Sequence, residues 1–176
     1  MDTDAIAITI KAKDGGDHIY NQTNLNMHAD GGRGNDIIRG GNGGNTIQGG
    51  SGRNDIQGGG GIDIISGGSD RDIIIGWGGD DILDGGEGND KIWGGRGDDE
   101  ITAGAGHDVV FAGIGNDKIW GGAGQDTLYG EKGNDTIWGE GDIDRIFGGD
   151  DNDTLDGGNG GSGGVDYLEG GAGRDT

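Results

Sequence analysis

The chain has 176 residues, no cysteine, no proline, 49 glycines and a formal charge of −21. That acidity argues against nucleic acid, whose phosphates are read by Lys and Arg, and against an anionic membrane face; the missing cysteines exclude disulfides and thiolate metal sites. With only 28% hydrophobic residues, composition alone reads as disorder, because little apolar surface is available to offset chain entropy. No apolar run approaches a membrane-spanning length, and Met1-Asp2-Thr3-Asp4 lacks the basic and apolar stretches of a cleaved signal peptide.

Residues 1–30 stand apart from the remainder of the chain. Ile6, Ile8 and Ile10 alternate with Ala5, Ala7 and Thr9, which predicts a strand with one apolar face. Lys11 to Gly16 reads as a turn, and His18-Ile19-Tyr20 and Leu25-Asn26-Met27-His28-Ala29 read as two further short strands. Tyr20, Ala29 and Ile38 are spaced by nine. Two readings fit: degenerate repeats capping one end, where a terminal repeat lacks a stacking neighbour, or a leader carried over from an upstream domain.

From Gly31 to Asp156 a nine-residue frame runs through 14 consecutive copies without insertion or deletion. Its form is clearest in Gly85-Gly86-Glu87-Gly88-Asn89-Asp90-Lys91-Ile92-Trp93. The sixth position is Asp in 12 copies, with Asn45 and Asn54 the exceptions, and the eighth is aliphatic in all, from Ile38 to Leu155. Glycines at this density exclude helix. Each copy predicts a glycine-rich turn of six residues, where Gly accepts positive φ, and a strand of three whose middle residue points inward. Two copies per revolution give a flattened coil with two walls of parallel strands, about seven turns or more. Beyond Asp156 the frame slips. Residues 157–160 read as an insertion, 161–176 as further repeats carrying Asp166, Leu168 and Asp175, and the last copy stops before its aliphatic position, the pattern of a fragment.

One inward aliphatic per nine residues is a thin core. Stacking also sets sixth-position carboxylates of same-wall copies side by side, as with Asp90 and Asp108, where like charges repel. A divalent cation between them reverses the sign. Calcium fits, being a hard ion that takes six to eight oxygens at roughly 2.3–2.6 Å, backbone carbonyls included; magnesium asks for a stricter octahedron and zinc for His or Cys. His18, His28 and His107 are scattered and read as incidental. Nine same-wall pairs, from Asp63/Asp81 to Asp135/Asp153, carry Asp on both sides, so nine or more Ca2+ are expected, with binding and folding as one event.

The repeat resembles the nonapeptide of the RTX (repeats-in-toxin) family of secreted bacterial proteins, a consensus associated with calcium and parallel β-structure. The resemblance spans 31–156 in strict frame and 161–176 after the slip. It implies an all-β, right-handed parallel β-roll with Ca2+ between adjacent same-side turns, each sixth-position Asp bridging two ions and turn-glycine carbonyls completing the shell. Carried onto this chain, the implied carboxylate ligands are Asp36, Asp63, Asp72, Asp81, Asp90, Asp99, Asp108, Asp117, Asp126, Asp135, Asp144, Asp153, Asp166 and Asp175. The implied glycines include Gly86, Gly88, Gly95, Gly97, Gly104, Gly106, Gly122 and Gly124. Type I export is implied too, with the chain unfolded at low calcium inside the cell and folded outside it, hence a secreted or extracellular location.

Departures from the pattern carry expectations of their own. Asn45 and Asn54 lack the charge, so the first turns should bind calcium weakly or not at all. Asp70, Asp142 and Asp151 replace the fourth-position glycine and are expected to alter the turn while offering a further ligand. Trp77, Glu131 and Glu140 replace the second glycine, and Ala103 and Ala112 the first. The best sites are expected from about Asp81 to Asp135.

Ninth-position side chains are expected to face outward. One wall reads Gln57, Ile75, Trp93, Phe111, Tyr129, Phe147, and the other Asp84, Thr102, Trp120, Trp138, Asp156. Three roles fit such a ladder: sheet stability through neighbour pairs, docking of a flanking domain, or polysaccharide binding. No Ser, His and Asp constellation recurs, and the repeat-positioned carboxylates are assigned to metal, so no enzymatic activity is expected. The expected function is a calcium-binding structural module of a larger secreted protein, with calcium and other domains of the same polypeptide as partners. The alternative is an adhesin-like module binding carbohydrate or a cell surface through the outer aromatic face.

Overall fold

The computed structural model describes residues 7–159 and 164–176, so Ala5 and Ile6 of the first alternating set and residues 160–163 lie outside the described residues. The described chain is all-β: two nine-stranded parallel sheets face each other, and the chain crosses from one to the other at every copy. Strand Lys91–Arg96 pairs with Val109–Ile114 at an offset of 18, Ile92 opposite Val110 and Trp93 opposite Phe111. The result is a parallel β-roll of about nine coil turns, roughly 40 Å long at the usual interstrand spacing.

The strands are twice as long as the sequence pattern indicates. Lys91–Arg96 combines positions seven to nine of one copy with one to three of the next, and only three residues, such as Gly97-Asp98-Asp99, form the corner. The left-handed bend at position two leaves pairing intact, because every coil turn bends at the same height. Gly95 still pairs with Gly113 and Arg96 with Ile114.

Each strand therefore has two inward positions. The eighth-position side chains from Ile38 to Ile146 are fully buried in one continuous core. The first-position glycine is also inward, and its Cβ space is already occupied: an added Cβ at Gly121 would meet Asp126 Oδ2 at 2.9 Å and Leu128 Cδ1 at 3.2 Å. The largest residue accepted there is alanine, at the buried Ala103 and Ala112. Within the 14 copies positions two and four have positive φ, as at Gly86 (99°) and Gly88 (139°), except at Gly41, Gly43 and Gly61. Asp70, Asp142 and Asp151 at position four keep this left-handed backbone, as do Trp77, Glu131 and Glu140 at position two. The expected change of turn geometry at the three aspartates is a shift of φ within the left-handed region, to 69–81° from the 103–156° of the positive-φ glycines at the fourth position.

At the N-terminus, Ala7–Lys11, His18–Tyr20 and Asn26–Asp30 join the two sheets as additional coil turns. The residue in the core column is Ile19, 4% exposed and paired with Ile38, not Tyr20, which is 53% exposed. The nine-residue count from Tyr20 fails because the local offset is 19. Buried Asn21 caps a tight turn that takes up the extra residue, donating to Leu25 O at 2.8 Å and accepting from Thr23 N at 3.0 Å. At the other end the coil stays in register through Asn159, which pairs with Gly141, and is offset by 22 at Asp166 against Asp144. The offset therefore changes between Asn159 and Asp166, a stretch that includes residues outside the described set, and Asn159 still holds the offset of 18.

The fully buried Ile92 has no room to relax, so Ile92→Ala is expected to lower the stability of the calcium-loaded protein by about 2–5 kcal/mol in thermal or denaturant unfolding. Glu131→Gly should raise it by about 1 kcal/mol, since it relieves a left-handed backbone that a Cβ disfavours.

Candidate metal centre

Each sixth-position residue sits at a corner, where the chain leaves one sheet for the other, and its side chain turns inward. Asp63, Asp81, Asp99, Asp117, Asp135 and Asp153 form one column; Asp36, Asp72, Asp90, Asp108, Asp126 and Asp144 form the other, and all twelve are buried. Asp166 and Asp175 continue the two columns, half-buried and exposed respectively. Within a column one carboxylate oxygen is engaged. Oδ1 accepts the backbone N–H of the sixth-position residue one coil turn earlier, at 2.7 Å for Asp90 N–H to Asp108 and 3.1 Å for Asp153 N–H to Asp175.

The second oxygen has no donor. Oδ2 of all twelve buried aspartates lacks any hydrogen-bond partner, an arrangement that buried polar groups otherwise avoid. Moreover it faces another acceptor. An added Cβ at Gly67 would lie 2.5 Å from Asp72 Oδ2 and 2.6 Å from the Gly85 carbonyl oxygen; at Gly121 the pair is Asp126 Oδ2 and Gly139 O, at 2.9 and 2.8 Å. Two electron-rich oxygens thus converge with no proton between them. The carbonyl oxygens of Gly86 and Gly88 likewise fill the space a Cβ would take on Gly104 and Gly106, and those of Gly95, Gly97, Gly104 and Gly106 the same space on Gly113, Gly115, Gly122 and Gly124. The backbone thereby aims its oxygens along the roll axis, into the intervals between coil turns.

Among the described residues no three His, Cys, Asp or Glu side chains gather into a metal cluster, and the one ion pair, Arg39 with Asp55 at 2.7 Å, uses no sixth-position carboxylate. The donor set is therefore carboxylate plus main-chain carbonyl, all hard oxygen, and it suits calcium. Carbonyls at position one, of Gly85, Ala103 or Gly139, join this set; the sequence pattern placed them in the turn and missed them. The absence of anything larger than alanine at that position was the available signal. Asp17 was missed as well. Its N–H donates to Asp36 Oδ1 at 2.7 Å, so it heads the second column, and the Asp17-His18-Ile19 order matches the Asp-x-aliphatic unit once the 19-residue offset is allowed.

Electrostatics point the same way. Burial, assisted by neighbouring carboxylates and opposed by the backbone N–H, raises Asp81 to about 8 and Asp72, Asp117 and Asp126 to about 7. Burial likewise raises Asp63, Asp90, Asp99, Asp135 and Asp144 to about 6. Without a cation, Asp81 favours its protonated form at neutral pH, Asp72, Asp117 and Asp126 are close to half-protonated there, and the other five take up a proton as pH falls toward 6.

The fold and the paired oxygen columns define a class: a parallel β-roll whose coil turns are joined through stacked carboxylates and carbonyls. The model of the RTX calcium-binding nonapeptide repeat matches residues 30–65, 57–92, 84–119, 102–137, 111–146, 129–160 and 161–176. The chain belongs to that family and is a calcium-binding structural repeat module. No curated protein matches it.

The raised aspartates make stability depend on pH. In the metal-free roll they keep protons up to pH about 6–8, whereas the unfolded chain loses them near pH 4. The associated stability is full below about pH 4 and is lost as pH rises through 6 to 8. In chelator, circular dichroism should therefore show more β-structure at pH 5 than at pH 8. With calcium the slope inverts, and calcium binding near pH 6 should release protons into unbuffered solution.

Proposed function

We propose that this chain is a calcium-responsive folding module of a larger protein exported from bacteria. It stays unfolded where calcium is scarce and coils into the roll at millimolar calcium outside the cell. The observation that carries this reading is the repeated confrontation of an unpartnered Oδ2 with a backbone carbonyl, twelve orphaned oxygens along two columns. The formal charge of −21 makes the same demand, with nine or more ions distributed along the columns. The ligands are Asp36 and Asp63 to Asp153 at position six, Asp166 and Asp175 at the open end, and carbonyls of turn glycines such as Gly86, Gly88, Gly122 and Gly124. The chain's own residues supply the geometry; the cation supplies the missing positive charge.

The aromatic ladders support the fold in this reading. Trp93–Phe111, Phe111–Tyr129 and Tyr129–Phe147 stack at 5.7, 4.8 and 4.8 Å between ring centroids, within 12° of parallel, and Trp120–Trp138 stack at 5.0 Å. A sugar stacks on a ring face, and here neighbouring rings cover one another's faces. That favours sheet stabilisation, each pair adding about 0.5–1.5 kcal/mol, over polysaccharide binding.

Calcium titration of the metal-free protein tests the proposal: β-structure should appear cooperatively by millimolar calcium, and a chain that remains coil would refute it. Asp90 accepts from Asp72 N–H and gives its own N–H to Asp108, so Asp90→Ala should disturb both intervals and lower calorimetric stoichiometry by about two ions, as bridging requires. A loss of one or none would rule out bridging.

A further inference from the structure

We propose that the side-chain amides of Asn45 and Asn54 take the cation's place, so that the coil turn from Gly40 to Gln57 needs no cation of its own and is the least calcium-dependent part of the roll. The inference rests on the proposed calcium reading and assigns these two residues as the determinants of which turns need the ion. Asn45 Nδ2 lies 2.7 Å from Gly43 O, 3.3 Å from Gly58 O and 2.8 Å from Asp63 Oδ1. Asn54 Nδ2 lies 3.0 Å from Gly52 O and 3.5 Å from Gly67 O. Its Oδ1 accepts the Asp36 N–H at 3.0 Å, which fixes the orientation of the amide.

In an Asp copy the equivalent atom is Oδ2, which meets the first-position carbonyl with nothing between. An added Cβ at Gly49 would touch Asn54 Nδ2 at 2.7 Å, the place where Gly67 presents Asp72 Oδ2 at 2.5 Å. The amide hydrogens therefore point into the space that a cation fills elsewhere, and they do so without adding charge. Asn45 keeps one unpartnered acceptor, Oδ1, but the carbonyls around its nitrogen are served. One coil turn earlier in the same column the sixth position is the fully buried Met27. That column thus passes from an apolar side chain to an amide and only then, at Asp63, to carboxylates.

The test transplants the device within the full chain. Asp90→Asn with Asp99→Asn is compared with Asp90→Ala with Asp99→Ala by calcium stoichiometry and by amide hydrogen exchange in chelator. Both double variants should bind fewer ions than wild type. Only the Asn variant should slow exchange over 91–105, on the order of tenfold relative to the Ala variant, since only it supplies N–H donors to the carbonyls. In the wild-type chain, peptides covering 45–59 should likewise keep their protection down to lower calcium than those covering 91–105. Equal calcium midpoints for the two segments, or Asn and Ala variants that exchange alike, would overturn the inference. Absence of calcium uptake by the wild type would instead overturn the calcium reading, and the Asn–Ala comparison would still decide the role of the amide.

Discussion

The structure depends on a carboxylate oxygen held inside a corner with no hydrogen to receive. Each buried Asp gives one oxygen to the N–H of the coil turn before it, and in most copies the other crowds the same first-position space as a carbonyl. Several other features derive from that placement. The first position of each copy must be small, alanine at most, because Oδ2 crowds its Cβ space. Positions two and four adopt left-handed backbone so that their carbonyls point along the axis. The core can be thin because part of the cohesion is left to an ion.

Cohesion in this roll runs lengthwise. Besides the sheet ladders, the Asp Oδ1 contacts link each coil turn to the next. A third chain of contacts lies at the fifth position, which the repeat leaves free. There Asp80, Asp98, Asn116, Asn134 and Asn152 each accept, through Oδ1, the backbone N–H of the residue one coil turn on, ending at Arg174. Aromatic stacks run parallel to it on the outer faces. Every coil turn therefore contacts chiefly its two neighbours, which is the condition for stability to build turn by turn and to differ along the length. An interior that switches from amide to carboxylate at Asp63 gives such a gradient a chemical cause.

Much of this was legible from spacing. The invariant eighth position located the core column from Ile38 onward, and the sixth located the acidic columns, because a strict period maps each position to one place in space. Where the period broke, the reading broke too. Tyr20 displaced Ile19 and Asp17 went unnoticed, each because a one-residue change shifts every assignment counted across it. Pairing across the sheet resolves these cases, since backbone hydrogen bonds report neighbours directly.

By itself the sequence determined the repeat, its two-walled parallel coil, the inward aliphatics and the need for a hard cation among so many carboxylates. Periodicity and net charge are additive properties of the chain and need no coordinates. Only the tertiary structure decided how the oxygens are shared: which one of each carboxylate is taken by an N–H, that first-position carbonyls face the other, and that two asparagines meet the same carbonyls with hydrogens of their own. Those outcomes depend on side-chain direction at a corner and on contacts between residues 13 to 22 apart, which no local pattern encodes.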